Sequence, residues 1–182
     1  MTYLSELSQL DRAVTKAGMA LAKAHAHRED RIRARIVAAA RYWGLRHEKL
    51  IHYAEVRPIP IQPNGKVPPL PLTTDCSGFF TLCYRAAGCP DPNGNNYNGE
   101  GFTGTLLKHG SIIPWRLAKP GDGVVYGEGN GHHVGILVKK AATVFSCMTV
   151  SHGFEGGPIE ISIRNEMKYQ PPGLRFVSFP LV

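Results

Sequence analysis

The first fifty residues place apolar side chains at steps of three and four, which is the spacing of an amphipathic helix. Over residues 4–27 the apolar positions are Leu4, Leu7, Leu10, Val14, Ala17 and Leu21. A second stretch, RIRARIVAAARYWGLRHEKL, places Ile32, Ile36, Ala40 and Trp43 on one stripe. The intervening HREDR is compatible with a break or with a continuous turn. The pattern therefore predicts helical structure in one piece or two.

The middle of the chain alternates between loop and helix signals. Six prolines fall between Pro58 and Pro71, so we expect an irregular surface loop there. In the following TTDCSGFFTLCYRAAG, Thr74 or Asp75 can cap a helix that Gly88 ends. The tract CPDPNGNNYNGEG has turn composition, and either lines a substrate cleft or forms a plain surface loop. A short helix is predicted over 103–109.

Beyond Pro120 the pattern changes to strands. The segments GDGVVYG, HHVGILV, TVFSCMTVSHG, PIEISIR and LRFVSF are short, β-branched or aromatic, and bounded by Gly or Pro. Helices followed by consecutive strands are typical of an α+β domain with an antiparallel sheet, here of about five or six strands.

Composition narrows the class of protein. In 182 residues, 43% are hydrophobic and 19% charged, which is enough apolar mass for one folded core. No stretch approaches the roughly 18–20 apolar residues that span a bilayer, so we expect no transmembrane segment. The opening MTYLSELSQLDRAVTKAG carries early acidic residues and has no apolar core segment, so we expect no secretory signal peptide.

Charge adds a bias toward polyanions. The net charge is +7, and residues 1–57 carry 11 basic against 6 acidic side chains. Such a bias favours nucleic acid, anionic membrane surfaces or anionic cell-wall polymers, although a solvated basic helix explains it equally well. The arginine-rich helix lacks interleaved aromatic residues and any nucleic-acid reading motif, so we expect no nucleic-acid partner.

Four cysteines are present, and only one lies where a nucleophile is expected. The gaps between Cys76, Cys83, Cys89 and Cys147 do not match paired zinc ligands, and a chain this long does not depend on disulfides. Cys76 begins the predicted helix, where unpaired N–H groups and the helix dipole stabilise a thiolate. Cys83 and Cys147 are expected to be buried packing residues.

A thiolate nucleophile needs a base nearby and a group that orients that base. Strand alternation places His133 with Gly135 and Leu137 on one face of HHVGILV, and His132 on the other. The next strand supplies His152. If the two strands pair as a hairpin, His133 and His152 can lie near each other.

The motifs DCSGFF, KPGDGVVYG and HHVGILV, in that order over residues 75–138, resemble those of NlpC-type cell-wall cysteine peptidases. The resemblance extends from about residue 30 to the C-terminus. It implies a papain-like α+β fold over residues 29–182, preceded by a helical arm over residues 1–28. The family's usual YxWGG stretch is absent, so the resemblance does not identify the residues that form the upstream wall of the cleft.

The resemblance also implies roles for individual residues. Cys76 would be the nucleophile, His133 the general base, and His152 the third residue that orients the imidazole. His152 follows His133 by nineteen positions, further than is common in the family. Tyr53, Asp75 and Ser77 are candidates for oxyanion stabilisation and substrate contact. The family needs no metal or organic cofactor.

The activity implied is hydrolysis of a peptidoglycan stem peptide, within the family usually between D-glutamate and a diamino acid. Alternatives are a CHAP-type N-acetylmuramoyl-L-alanine amidase and a non-catalytic wall-binding module. The segments SHGFEGGP and DPNG resemble actinobacterial-phage lysins, which implies a phage-encoded enzyme that reaches the wall from the host cytoplasm or with the phage particle. We expect a monomer.

Overall fold

The computed structural model describes residues 3–61 and 68–182, with side chains described from residue 14 onward. The elements in chain order are α1 (Tyr3–Arg46), a 3-10 turn (Glu48–Leu50), β1 (Ile51–Tyr53), β2 (Leu72–Thr74), α2 (Cys76–Ala87), α3 (Thr103–His109), β3 (Ser111–Ile113), β4 (Gly123–Tyr126), β5 (His133–Lys139), a second 3-10 turn (Val144–Ser146), β6 (Met148–Ser151), β7 (Ile159–Ser162), α4 (Ile163–Glu166) and β8 (Leu174–Ser178). Helix α1 is continuous through HREDR, which resolves that alternative. No helix of the described residues has the length and apolar character that a membrane span requires.

The chain divides into two compact units, residues 1–31 and 32–182. The boundary predicted from the sequence, between the helical arm and the folded domain, lies between residues 28 and 29. In the first unit the described side chains are mostly exposed, including those of Val14, Met19 and Leu21. The second unit contains the sheet, the other helices and the core.

A six-stranded sheet with the order β3-β8-β4-β5-β6-β7 forms the centre of the second unit. Every neighbouring pair in it is antiparallel, so the predicted α+β class with an antiparallel sheet is confirmed. A separate parallel pair, β1 with β2, flanks the proline-rich segment and was not predicted. Its strands are three residues long, which is too short to show an alternating pattern.

Apolar side chains cover both faces of the sheet. On one face Ile36 and Trp43 of α1 and Phe79 of α2 pack in the same cluster as Val134 and Val150. This confirms the buried stripe expected along the second half of the N-terminal helix. A smaller cluster on the other face joins strand residues to α4, and its members are Ala118, Val124, Tyr126, Leu137, Cys147, Ile163 and Phe176. Burying each large apolar side chain contributes roughly 1.5–3 kcal/mol to folding.

Helix α2 begins and ends where capping chemistry predicts. Asp75 is the N-cap, and its side chain accepts a hydrogen bond from the N–H of Gly78 (2.7 Å). Gly88 ends the helix in the left-handed conformation at φ 78°, which glycine adopts without steric cost. Cys76 is therefore the first residue of the helix, and its N–H has no acceptor within the helix.

Helix α4 is the main departure from the predicted elements. The expected strand PIEISIR ends at Ser162, and residues 163–166 turn into a short helix. Ser162 caps it by accepting a hydrogen bond from the N–H of Asn165 (3.3 Å). The helix is anchored by Ile163, which is fully buried, and it places Glu166 beneath the sheet.

Candidate active site

Cys76 lies at the N-terminus of α2 and lines a cleft of about 410 Å³. The cleft is bounded by Tyr53 from β1, by residues of the cap of α2, and by the loops around residues 100–103 and 130–132. Phe79, one turn further along α2, is 1% exposed and anchors the helix in the core. This places the sulfur at the junction of the core and the cleft, as the sequence predicted.

His133, the first residue of β5, forms a side-chain hydrogen bond with Cys76. Its Nε2 lies 2.9 Å from Oε1 of Glu166. Because Nε2 is hydrogen-bonded to Glu166, Nδ1 is the ring nitrogen available to the Cys76 thiol. The structure therefore brings Cys76 and His133 together, with Glu166 on the far side of the imidazole.

Glu166 is held by hydroxyl groups as well as by His133. Its Oε2 accepts hydrogen bonds from Tyr126 Oη and Thr149 Oγ1, both at 2.7 Å. Its Oε1 also accepts from the hydroxyl of Ser151. A buried carboxylate is costly unless its lone pairs are satisfied, and here each oxygen has two donors. The carboxylate is consequently fixed in one orientation against the imidazole.

The charges of the pair stabilise each other. Burial alone would lower the pKa of His133, but hydrogen bonds to Cys76 and Glu166 outweigh burial and raise that pKa to about 9. Burial alone would raise the pKa of Glu166, but the hydrogen bond from His133 and those from Ser151 and Thr149 hold it below its usual value. At neutral pH the arrangement is an imidazolium beside a carboxylate.

His152 does not lie against His133. In the β5–β6 register Gly135 is opposite Ser151, so Ser151 shares a face with His133, while His152 points to the other face of the sheet. There its Nε2 lies 3.1 Å from the carbonyl oxygen of His52, and its ring packs edge-on against Tyr53 and Phe79. Burial lowers the pKa of this imidazole. The orienting position predicted for His152 is occupied by Glu166.

Tyr53 lies in the cleft with Cys76, as expected of a residue that contacts the reacting group. Burial, with smaller contributions from the neighbouring Cys76, Glu55 and Asp75, raises the pKa of its hydroxyl to about 12. The phenol therefore stays protonated at neutral pH and can donate a hydrogen bond. This is the property that an oxyanion-stabilising hydroxyl needs.

Asp75 and Ser77 lie in the same cleft, but both are engaged by Arg57. Nη2 of Arg57 donates to Asp75 Oδ2 at 2.9 Å and to Ser77 Oγ at 2.8 Å, and Ser77 donates to Asp75 Oδ1 at 3.0 Å. Nε of Arg57 also donates to the carbonyl oxygen of Gly101 (2.8 Å). Arg57 thus joins the cap of α2 to the loop before α3, and the two predicted substrate-contact residues act here as parts of the cleft wall.

The glycine- and asparagine-rich tract also reaches the cleft, through Glu100. Of the two alternatives that the sequence left open for this tract, cleft lining therefore applies at its C-terminal end. His132, beside His133, is exposed on the rim of the same cleft.

The other cysteines are buried and form no disulfide. Burial raises the pKa of Cys89 to about 12 and that of Cys83 well above its usual value, so neither is a ready thiolate. Across residues 3–61 and 68–182, no three His, Cys, Asp or Glu side chains are grouped so that they could hold a metal ion.

Sequence reasoning did not find Glu166 or Arg57. Glu166 is 33 residues from His133 in the sequence and lies just after the predicted strand segment PIEISIR. The one available signal was Ser162 three residues before Asn165, a capping pattern that could have marked a helix start. Arg57 precedes the proline-rich segment, where the sequence has no periodic pattern to place it.

No family model and no curated protein matches the sequence. Solved structures similar in fold include NlpC/p60 proteins. The NlpC/p60 domain of the peptidoglycan hydrolase SagA is 21% identical with a TM-score of 0.48, over 81% of this chain and 98% of that domain. The peptidoglycan hydrolase RipB from Mycobacterium tuberculosis is 21% identical with a TM-score of 0.41, over 60% of this chain and 46% of that one.

A third similar structure is a lipoprotein-like NLP/P60-family protein from Staphylococcus aureus. It is 18% identical with a TM-score of 0.49, over 80% of this chain and 41% of that one. This chain therefore spans less than half the length of two of the three solved chains.

Proposed function

We propose that this protein is an NlpC-type cysteine peptidase that hydrolyses an amide bond in the peptide stem of peptidoglycan. The observation that carries the proposal is the arrangement of Cys76, His133 and Glu166: a thiol at a helix N-terminus, hydrogen-bonded to an imidazole whose other nitrogen faces a fully satisfied buried carboxylate. A nucleophile, a base and an orienting group in this order are the elements of nucleophilic catalysis.

The acylation step uses the charges already present. The Cys76 thiolate attacks the carbonyl carbon of the scissile amide, and the carbonyl π electrons move to its oxygen. His133, as imidazolium, then protonates the amide nitrogen as the C–N bond breaks and the amine leaves. The products are a thioester on Cys76 and a neutral His133.

Deacylation reverses the role of His133. The neutral imidazole takes a proton from water as the water oxygen attacks the thioester carbonyl, and the C–S bond then breaks to return the thiolate. Glu166 stays ionised throughout and keeps the Nε2–H donor fixed. In both steps the developing oxyanion can be met by the backbone N–H of Cys76 and by the protonated hydroxyl of Tyr53.

The substrate is assigned from the motifs DCSGFF, KPGDGVVYG and HHVGILV, whose resemblance to wall peptidases implies the bond between D-glutamate and a diamino acid. The net charge of +7 supports attraction to an anionic wall, and binding should weaken as salt rises. Release as a phage lysin is the setting that the lysin-like segments support.

The test is digestion of purified peptidoglycan by wild type, Cys76→Ala and a matched control, Cys83→Ala, with products identified by mass spectrometry. Cys83 is fully buried in the same helix and does not line the cleft. We expect stem-peptide fragments from wild type and Cys83→Ala and none from Cys76→Ala.

The masses of the products name the bond. Fragments ending in D-glutamate support the proposed endopeptidase, whereas release of whole stem peptides from muramic acid would identify an amidase instead. Equal cleavage by Cys76→Ala would show that Cys76 is not the nucleophile. Wall binding by both proteins without turnover, on lysine-type and diaminopimelate-type walls alike, would indicate a non-catalytic wall-binding module.

A further inference from the structure

We propose that a second pocket, on the Glu166 side of His133, holds the amino acid whose amine leaves, and that it selects residues without a free carboxylate on their side chain. This inference rests on the proposed function. The leaving-group pocket has a volume of about 460 Å³, and its defining residues are His133, Phe154, Ile159, Ile161, Tyr169 and Gln170. It lies entirely within residues 32–182.

His133 links this pocket to the Cys76 cleft. The imidazole lines the leaving-group pocket, while Cys76, Tyr53 and Arg57 line the other cleft. The leaving nitrogen must reach His133 to receive its proton, and the acyl part stays on Cys76. An extended substrate that crosses the thiol therefore carries its acyl side toward the Cys76 cleft and its amine side toward the leaving-group pocket.

The backbone on the pocket side leaves room beside the imidazole. A Cβ added at Gly153 would come within 3.0 Å of Cε1 of His133. Any larger residue at this position would push on the ring that must meet the leaving nitrogen. The glycine therefore keeps the imidazole edge clear between the pocket and the reacting atoms.

The charges of the leaving-group pocket decide its preference. Among the described residues that line it, none is Lys or Arg. Its only carboxylate, that of Glu166, is taken by His133, Tyr126, Thr149 and Ser151. The one cation among these described residues, the imidazolium of His133, is already paired with Glu166 at 2.9 Å, so a substrate carboxylate held there would lose water without gaining an unpaired cation, which is unfavourable. An aliphatic stem gains from contact with Ile159 and Ile161.

A terminal ammonium meets a different environment at the mouth of the pocket. Phe154 and Tyr169 are 47% and 79% exposed, so their rings border solvent. An ammonium group beside them keeps part of its hydration and is attracted to the negative face of a ring, whereas a carboxylate on the same carbon is repelled by that face. The pocket therefore suits L-lysine, or a diaminopimelate whose distal carboxyl is amidated, better than diaminopimelate with that carboxyl free.

The experiment measures kcat/KM on three disaccharide stem peptides that differ only in the leaving residue: L-lysine, amidated meso-diaminopimelate and free meso-diaminopimelate. We expect the first two to be cleaved at least about tenfold faster than the third, the order of effect of an unpaired buried polar group. Equal or faster cleavage of the free diaminopimelate peptide overturns this inference but leaves the proposed function standing. Cleavage of none of the three overturns both.

Two substitutions sharpen the assignment. Gln170→Lys adds a cation to the pocket and should narrow or reverse the preference against free diaminopimelate. The control Met167→Lys adds the same charge at a position that does not line the pocket, and it should leave the preference unchanged. Phe154→Ala should raise KM for the lysine peptide severalfold with kcat largely retained, and Phe145→Ala, a similarly exposed ring elsewhere, should not. A preference unchanged in Gln170→Lys, or equal effects of the two Phe variants, would contradict the proposed position of the leaving residue.

Discussion

The two faces of the β5–β6 hairpin, at the end that carries His133, show how differently one residue type can be used. On one face His133 meets a buried carboxylate and a thiol. On the other face His152 packs against the rings of Tyr53 and Phe79 and bonds a backbone carbonyl. A single step along a strand separates Ser151 from His152, and that step changes the face.

The same contrast appears in the pKa values. Both imidazoles are buried, and burial by itself would lower the pKa of each. Only His133 has charged or ionisable side-chain partners strong enough to reverse that effect and raise its pKa to about 9. Burial therefore keeps the imidazole of His152 neutral, whereas Cys76 and the carboxylate of Glu166 keep that of His133 protonated at neutral pH.

The largest expected effect separates the two histidines directly. His133→Ala should lower kcat by about a thousandfold or more, because the leaving amine loses its proton donor. His152→Phe keeps a ring in the aromatic environment but cannot orient an imidazole, so kcat/KM per folded molecule should stay within about threefold of wild type. Turnover of stem peptide and the fraction folded by circular dichroism check both variants. A loss in His152→Phe as large as that in His133→Ala would restore His152 to the catalytic group.

A smaller effect is expected from Glu166→Gln, which keeps the shape and removes the charge. Activity should fall about a hundredfold, and the alkaline limb of its pH profile should move to lower pH from its wild-type position near 9. A merely structural role would lower the activity at all pH values without moving that limb. Pre-steady-state acylation rates of wild type and Glu166→Gln, measured across pH, locate the alkaline limb of each profile.

The same substitution predicts a pH-dependent difference in stability. His133 has a folded pKa above its unfolded value of 6.5, so its contribution is complete below pH 6.5 and is lost as pH rises through about 9. Glu166 has a folded pKa below 4.5, so its contribution is present above pH 4.5 and is lost in acid. The free energy of unfolding of wild type should exceed that of Glu166→Gln by about 2 kcal/mol near pH 6, and this difference should shrink toward pH 9. Urea unfolding at several pH values tests this, and a gap that does not vary with pH would contradict the ion pair.

The smallest expected effect comes from Ser151→Ala, which removes one hydroxyl donor from Glu166. The free energy of unfolding should fall by about 1 kcal/mol, and activity should fall a few fold at most, since Tyr126 and Thr149 still hold the carboxylate. Ser146→Ala, at an exposed hydroxyl, is the matched control and should change neither. Identical stability of the two variants would show that Ser151 does not support Glu166.

Much of the fold could be predicted because its elements carry their own local patterns. The alternation in HHVGILV and the cap and stop around CSGFFTLCYRAA are local signals, and β5 and α2 lie where those signals are. The three-residue strands β1 to β3 and the four-residue helix α4 are shorter than the periods that reveal an element. The structure is needed to find them because their stability comes from contacts distant in sequence.

Cys76 and His133 could be proposed as partners because a helix N-terminus and a strand start can be located from nearby residues. Their third partner could not, because it depends on which face each residue of β6 takes. The register Gly135↔Ser151 brings Ser151, not His152, to the face of His133. Nothing in TVSHG by itself distinguishes this register from one shifted by a single residue.

The sequence by itself determined the α+β class, the capped helix that carries Cys76 and the strand that begins at His133, because hydrophobic period and capping act over a few neighbouring residues. Tertiary structure alone decided that Glu166 faces His133, that Arg57 braces Asp75 and Ser77, and that an apolar pocket adjoins the imidazole. These features require strand register and the packing of α4 beneath the sheet. Both depend on the burial of whole faces, which no short segment specifies alone.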